Sequence, residues 1–158
     1  MTQMQVVPSK FFITSGSAVS PVSDLNAFDL ALLKADLSEQ NLVAVSSVIP
    51  DGAVLTEDRT MPMGMVTFCV LSQCRGVGGE TVSAGIAYAY RKDGHGGYVA
   101  EGHLHGSTEV LRKELAAKMA EMSRIRGVEF GPVSFVVETL EIPEGNYGCA
   151  VSSLVFTE

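Results

Sequence analysis

The sequence predicts an α+β fold in which layered sheets carry helices on their faces. Three observations lead there: apolar residues recur at helical spacing in only two stretches, those stretches lie far apart, and five others are rich in Val, Phe, Tyr and Thr. A doubly wound α/β sheet would instead interleave helices with most of its strands. The 158 residues suit a single domain spanning 1–158, with 46% hydrophobic and 18% charged residues to build a generous core.

The first helix is predicted near Leu25 to Ala35. Ser23 or Asp24 supplies its N-cap, and Leu25, Phe28, Leu32 and Ala35 form its apolar stripe. Asp29 sits one position off that stripe. A strand follows at Val43–Val48, ending in the hydroxyl pair Ser46-Ser47, and further strands are expected at Gly64–Ser72 and Thr81–Tyr90. Glycine clusters at Arg75-Gly-Val-Gly-Gly79 and Gly94-His-Gly-Gly97 read as hairpin or loop sites. The second helix runs from Thr108 to Arg126, with Ser107 as N-cap, Glu109 near the positive end of its dipole and Gly127 closing it. Val110, Leu111, Leu115, Met119, Met122 and Ile125 form its apolar face, so this helix reads as scaffold. Strands Ser134–Leu140 and Tyr147–Phe156 complete the chain.

A formal charge of −7 with no basic stripe argues against a nucleic-acid partner and suits a cationic one. Cys69, Cys74 and Cys149 are odd in number and form no CxxC, which fits a reducing, cytoplasmic setting better than a disulfide scaffold. Met1–Lys10 lacks the pattern of a secretory leader, and no apolar run reaches membrane-spanning length, so no membrane association is expected.

Ser46-Ser47 is the most telling pair. A serine hydroxyl can attack the carbonyl before it, turning the amide into an ester, and β-elimination then breaks the chain. The dehydroalanine left behind hydrolyses to a pyruvoyl group. The competing reading is two hydroxyls capping a turn. Glu101 ends the apolar run Gly97-Tyr-Val-Ala100, where partial burial at a strand terminus would let it carry a proton. His103-x-His105 would share one strand face, with His95 nearby, but no further ligand cluster has metal spacing, so no metal is expected.

Leu25-Asn-Ala-Phe-Asp29, Asn41-Leu, Ser46-Ser47 with Ile49-Pro50, Met61-Pro-Met-Gly64 and Gly79-Glu-Thr-Val-Ser-Ala84 together resemble the pyruvoyl-dependent arginine decarboxylases. Gly97-x-x-x-Glu101 and Gly148-Cys-Ala150 extend the match, in order, over nearly the whole chain. The resemblance implies a four-layer αββα sandwich and cleavage between Ser46 and Ser47 into a β chain (1–46) and an α chain (47–158). Ser47 would become a covalent pyruvoyl group, with Asn41 assisting the cleavage. It further implies a homo-trimer of αβ protomers with active sites between neighbours. The substrate amine would condense with the pyruvoyl ketone, which accepts the electron pair as CO₂ leaves. Glu101 then matches the proton donor, and Asp29 the carboxylate that holds the arginine guanidinium. The product would be agmatine, serving polyamine synthesis or acid resistance.

Three rivals accompany this reading: a decarboxylase of another cationic amino acid, a trimeric paralogue that never cleaves, and a histidine-based metal hydrolase. The presence together of Asn41, Ser47 and Glu101 argues against the paralogue. Asp29 would repel aspartate in the distal pocket, which favours cationic substrates.

Overall fold

The computed structural model describes residues 5–158; Met1–Met4, part of the segment read above for a leader, lie outside it. In chain order the elements are β1 (Lys10–Ser20), α1 (Asp24–Lys34), β2 (Asn41–Ala44), β3 (Val48–Ile49), β4 (Val54–Leu55), β5 (Val66–Val77), β6 (Thr81–Tyr90), β7 (Gly97–Leu104), α2 (Thr108–Arg126), β8 (Ser134–Glu141) and β9 (Tyr147–Thr157). One sheet has the order β2-β5-β9-β1-β4 and the other β3-β7-β6-β8. The first is mixed, because β2 runs parallel to β5 and β4 parallel to β1, while the rest is antiparallel.

Three packing regions define four layers. Ala27, Ala31 and Leu32 of α1 meet Phe12, Val151 and Val155 on the outer face of the five-stranded sheet. Phe11, Val70 and Leu154 on its inner face meet Ile49, Ile86 and Val99 of the four-stranded sheet. On that sheet's far side Ala87 and Ala100 receive Leu111, Leu115 and Met119 of α2. Strand side chains alternate between faces, so β1 sends Phe12 to the helix and Phe11 to the inter-sheet core. Serines stitch the sheets together: Ser152 Oγ donates to Ala84 O at 2.8 Å and Ser72 Oγ to Gly102 O at 2.5 Å. Among the described residues no buried side-chain polar atom lacks a partner.

The α+β architecture agrees with expectation, and several details correct it. β1 is not among the predicted strands, yet it pairs with β9 over all of its residues, Lys10 to Ser20. The single strand predicted at Val43–Val48 is two strands in different sheets. The turn expected at Arg75–Gly79 begins late, since β5 runs on to Val77 and the bend falls at Gly78-Gly79. Leu25 is exposed, because the buried stripe of α1 is Ala27, Ala31 and Ala35 with Leu32 beside it. Small residues win that face because the helix lies close to β1; a Cβ on Gly16 would sit 2.7 Å from the Ala31 carbonyl oxygen. Val110 and Ile125 are likewise exposed, and α2 buries Leu111, Leu115 and Met119. Both predicted N-caps are in place, with Ser23 Oγ accepting from Asn26 N–H and Ser107 Oγ from Val110 N–H.

All three cysteines are free and buried. Burial pushes the Cys149 thiol up to about 11 and raises those of Cys69 and Cys74. The thiolate is the nucleophile, so all three are inert at neutral pH. Iodoacetamide at pH 8 should leave the native chain unlabelled and modify all three cysteines once it is unfolded; mass spectrometry reads both outcomes. Gly16→Val should lower the midpoint of thermal unfolding, at a cost of about 1–3 kcal/mol, because α1 must lift from β1 to admit the side chain.

Candidate active site

The Ser46–Ser47 bond lies where the chain changes sheets. Val45 N–H donates to Cys69 O at 2.9 Å, adding one residue to the β2–β5 ladder. Val99 N–H donates to Ser47 O at 2.9 Å, which starts the β3–β7 ladder that continues through Val48–Tyr98 and Ile49–Gly97. Among the described residues, neither the Ser46 carbonyl nor the Ser47 N–H joins a main-chain hydrogen bond. Ser46 is exposed and Ser47 half-buried. The peptide between them is therefore held from both sides and free in the middle.

A cleft of about 700 Å³ opens at this point. Ser46, Ser47, Val70, Val99, Ala100 and Glu101 form one wall. Val99 packs between the sheets and Ala100 against α2, so alternation along β7 turns Glu101 to the inter-sheet side. Glu101 lines the same cleft as both serines of the crossover. Sequence had placed Glu101 at a strand terminus and partly buried. It lies within β7 and is exposed in the single chain, because β3 covers only the first two residues of that edge.

The remaining residues fall elsewhere. The Asn41 side-chain amide donates to Gly64 O at 2.8 Å, tying the start of β2 to the Met61–Gly64 turn rather than lining the cleft. Asp29 is exposed on α1 and does not line the cleft within one chain. His105 lies beyond the end of β7, so it and His103 do not share a strand face as expected. Its Nδ1 is 2.9 Å from Glu80 Oε2, and His95 Nδ1 is 3.3 Å from Asp51 Oδ2. Among the described residues no three His, Cys, Asp or Glu side chains gather as metal ligands.

The opposite wall is one that sequence reading missed. Glu114, Lys118 and Glu121 of α2, read above as scaffold, face the cleft with Met122 and Arg126. Their spacing of four and three residues puts them on one helical face, which was the available signal. Arg124 Nε holds Glu121 Oε2 at 2.8 Å. Lys118 Nζ reaches across to donate to the Glu101 main-chain oxygen at 2.8 Å.

No helix among the described residues is long and apolar enough to cross a membrane. The family model for pyruvoyl-dependent arginine decarboxylase matches residues 10–158. Relatives of that name include one from Methanothermobacter thermautotrophicus, 34% identical over 154 residues, which cover 97% of this chain and 99% of the relative. Another, from Methanopyrus kandleri, is 31% identical over 95% of this chain and 97% of its own length. A third, from Methanocella arvoryzae, is 31% identical over 96% of each. With a match that runs from β1 to the last residue and takes in the whole Ser47–Glu101 cleft, the chain belongs to the pyruvoyl-dependent arginine decarboxylase family.

Proposed function

We propose that this chain cleaves itself between Ser46 and Ser47, and that the product decarboxylates L-arginine to agmatine and CO₂. The observation that carries the reading is the cleft shared by Ser47 and Glu101 at the change of sheet. Ser47 Oγ attacks the Ser46 carbonyl, exchanging an amide for an ester. Elimination releases the Ser46 carboxylate, and water then displaces ammonia to leave a pyruvoyl group on residue 47. The β chain keeps its grip through Val45 on Cys69, and the α chain through Ser47 on Val99, so breaking the bond releases neither end. Asn41 serves this step by fixing the start of β2 on Gly64.

The residues present fit a pyruvoyl group. Its adjoining amide carbonyl is the Ser47 oxygen, already held by Val99 N–H, and Val70, Val99 and Ala100 give the group apolar walls. When formed, it supplies an electron sink for the pair released as CO₂ departs. Glu101 delivers a proton to the substrate Cα from the same wall. The distal guanidinium calls for a carboxylate, where a planar fork gains two charge-assisted hydrogen bonds.

Asp29 is that carboxylate in this reading, and a neighbouring protomer supplies it. A homo-trimer of αβ protomers accounts for an Asp29 that lies outside its own chain's cleft. Exposed apolar side chains at the crossover, Val45 at 37% and Val48 at 53%, support a protein partner there. The buried free cysteines support a reducing, cytoplasmic setting.

Two sets of variants test the proposal. Ser47→Ala removes the nucleophile and should stay one chain on a denaturing gel, without activity; cleavage in that variant would rule out Ser47. Asp29→Asn and Glu101→Gln should both process. Asp29→Asn should then lose about 100-fold in kcat/KM for arginine, equivalent to about 3 kcal/mol. Glu101→Gln should lose kcat. Normal arginine turnover by either would remove that residue from its role.

A further inference from the structure

Among the described residues the outer edge of β7 has no strand partner beyond Val99, since β3 pairs only with Gly97 and Tyr98. Main-chain polar groups alternate between the two edges of a strand. Val99 N–H points to the β3 side, where it meets Ser47 O, so the main-chain groups of Glu101 point to that same edge. An unpaired edge is prone to fray, and here the residue on that edge carries the proposed proton donor.

Lys118 stands where the missing strand would be. Its Nζ donates to Glu101 O at 2.8 Å from the α2 side. Gly102 makes the approach possible, because a Cβ there would sit 3.3 Å from Lys118 Nζ and 3.1 Å from Leu111 Cδ1. From the other sheet Ser72 Oγ holds the next carbonyl, that of Gly102, at 2.5 Å. Two successive carbonyls are thus clamped from opposite sides. The ammonium meets the main chain and forms no ion pair with the Glu101 carboxyl; among the described residues that carboxyl has no ion-pair partner. Its side chain is left without a counter-ion at the cleft among the described residues.

We infer that Lys118 is a positioning residue for the reaction, holding the β7 edge so that Glu101 meets the substrate Cα. The inference rests on the reading of Glu101 as proton donor. Lys118 acts through the main chain and touches neither substrate nor cofactor.

The test uses the self-processed full chain with Lys118→Met, Lys118→Arg and Glu101→Gln side by side. K118M should cleave to completion and keep its KM for arginine, while kcat falls about 10-fold. Amide hydrogen exchange over Glu101–Leu104 should quicken in K118M without substrate present. K118R, which keeps a donor for the same carbonyl, should retain wild-type exchange and most of kcat. An unchanged kcat in K118M overturns the inference, as does a raised KM at constant kcat, which would make Lys118 a substrate-carboxylate contact. Wild-type exchange with kcat lost in K118R also overturns it, and that result stands even if K118M fails to fold. Activity intact in Glu101→Gln contradicts the assignment of Glu101 itself. Activity lost in Glu101→Gln but intact in K118M contradicts only the role of Lys118.

Discussion

Two main-chain hydrogen bonds, from Val45 N–H to Cys69 O and from Val99 N–H to Ser47 O, fasten the chain to one sheet before the Ser46–Ser47 bond and to the other sheet after it. Each bond ends a ladder, so the dipeptide between them is the crossing from sheet to sheet. Ordinary loops cross with several residues to spare; this one crosses in the space of Ser46. The constraint explains the neighbourhood. β2 and β3 stay short, and among the described residues no strand pairs with the edges of β5 and β7 beyond them, giving the cleft its mouth. Glu101 is on that open edge for the same reason that it is exposed.

The sandwich supplies the rigidity that such a crossing needs. Phe11, Val70, Ile86, Val99 and Leu154 fill the space between the sheets, and Phe11 meets Tyr88 edge-on at 5.8 Å between ring centroids. Each fully buried side chain of this kind contributes about 1.5–3 kcal/mol. Serine bridges from Ser72 and Ser152 fix the separation between this core and the neighbouring cluster of Cys74, Val82, Ala84 and Ala150. Val70 and Val99 belong to this core and also line the cleft, so the floor of the site is part of the packed interior. A site built on strands keeps its geometry better than one built on loops.

Much of this was legible in the sequence. The Ser46-Ser47 pair, Glu101 and the caps of both helices are local signals, and the structure puts both serines and Glu101 on one wall. What was not legible depends on distant partners. β1 hides because Thr14, Ser15, Gly16 and Ser17 interrupt its apolar alternation; Thr14 is buried only because its hydroxyl finds Ala35 O at 2.7 Å, and Gly16 because α1 presses on it. The break inside Val43–Val48 has no composition of its own, since valine serves equally well in either sheet. Lys118 looks like any surface lysine until its Nζ is seen to reach the Glu101 carbonyl on an edge of β7 that no strand covers among the described residues. Asn41 and Asp29 carry motif signals, yet in the single chain neither lines the cleft.

The account turns on whether the bond between the two sheets breaks. An intact mass spectrum of freshly purified protein under denaturing conditions decides this. Two fragments are predicted, one ending at Ser46 and one beginning at residue 47, the second lacking its N-terminal amine and carrying a ketone. A single chain of full sequence mass that persists through prolonged incubation would contradict the account, and would make the Ser46–Ser47 crossing a structural link with no chemistry of its own.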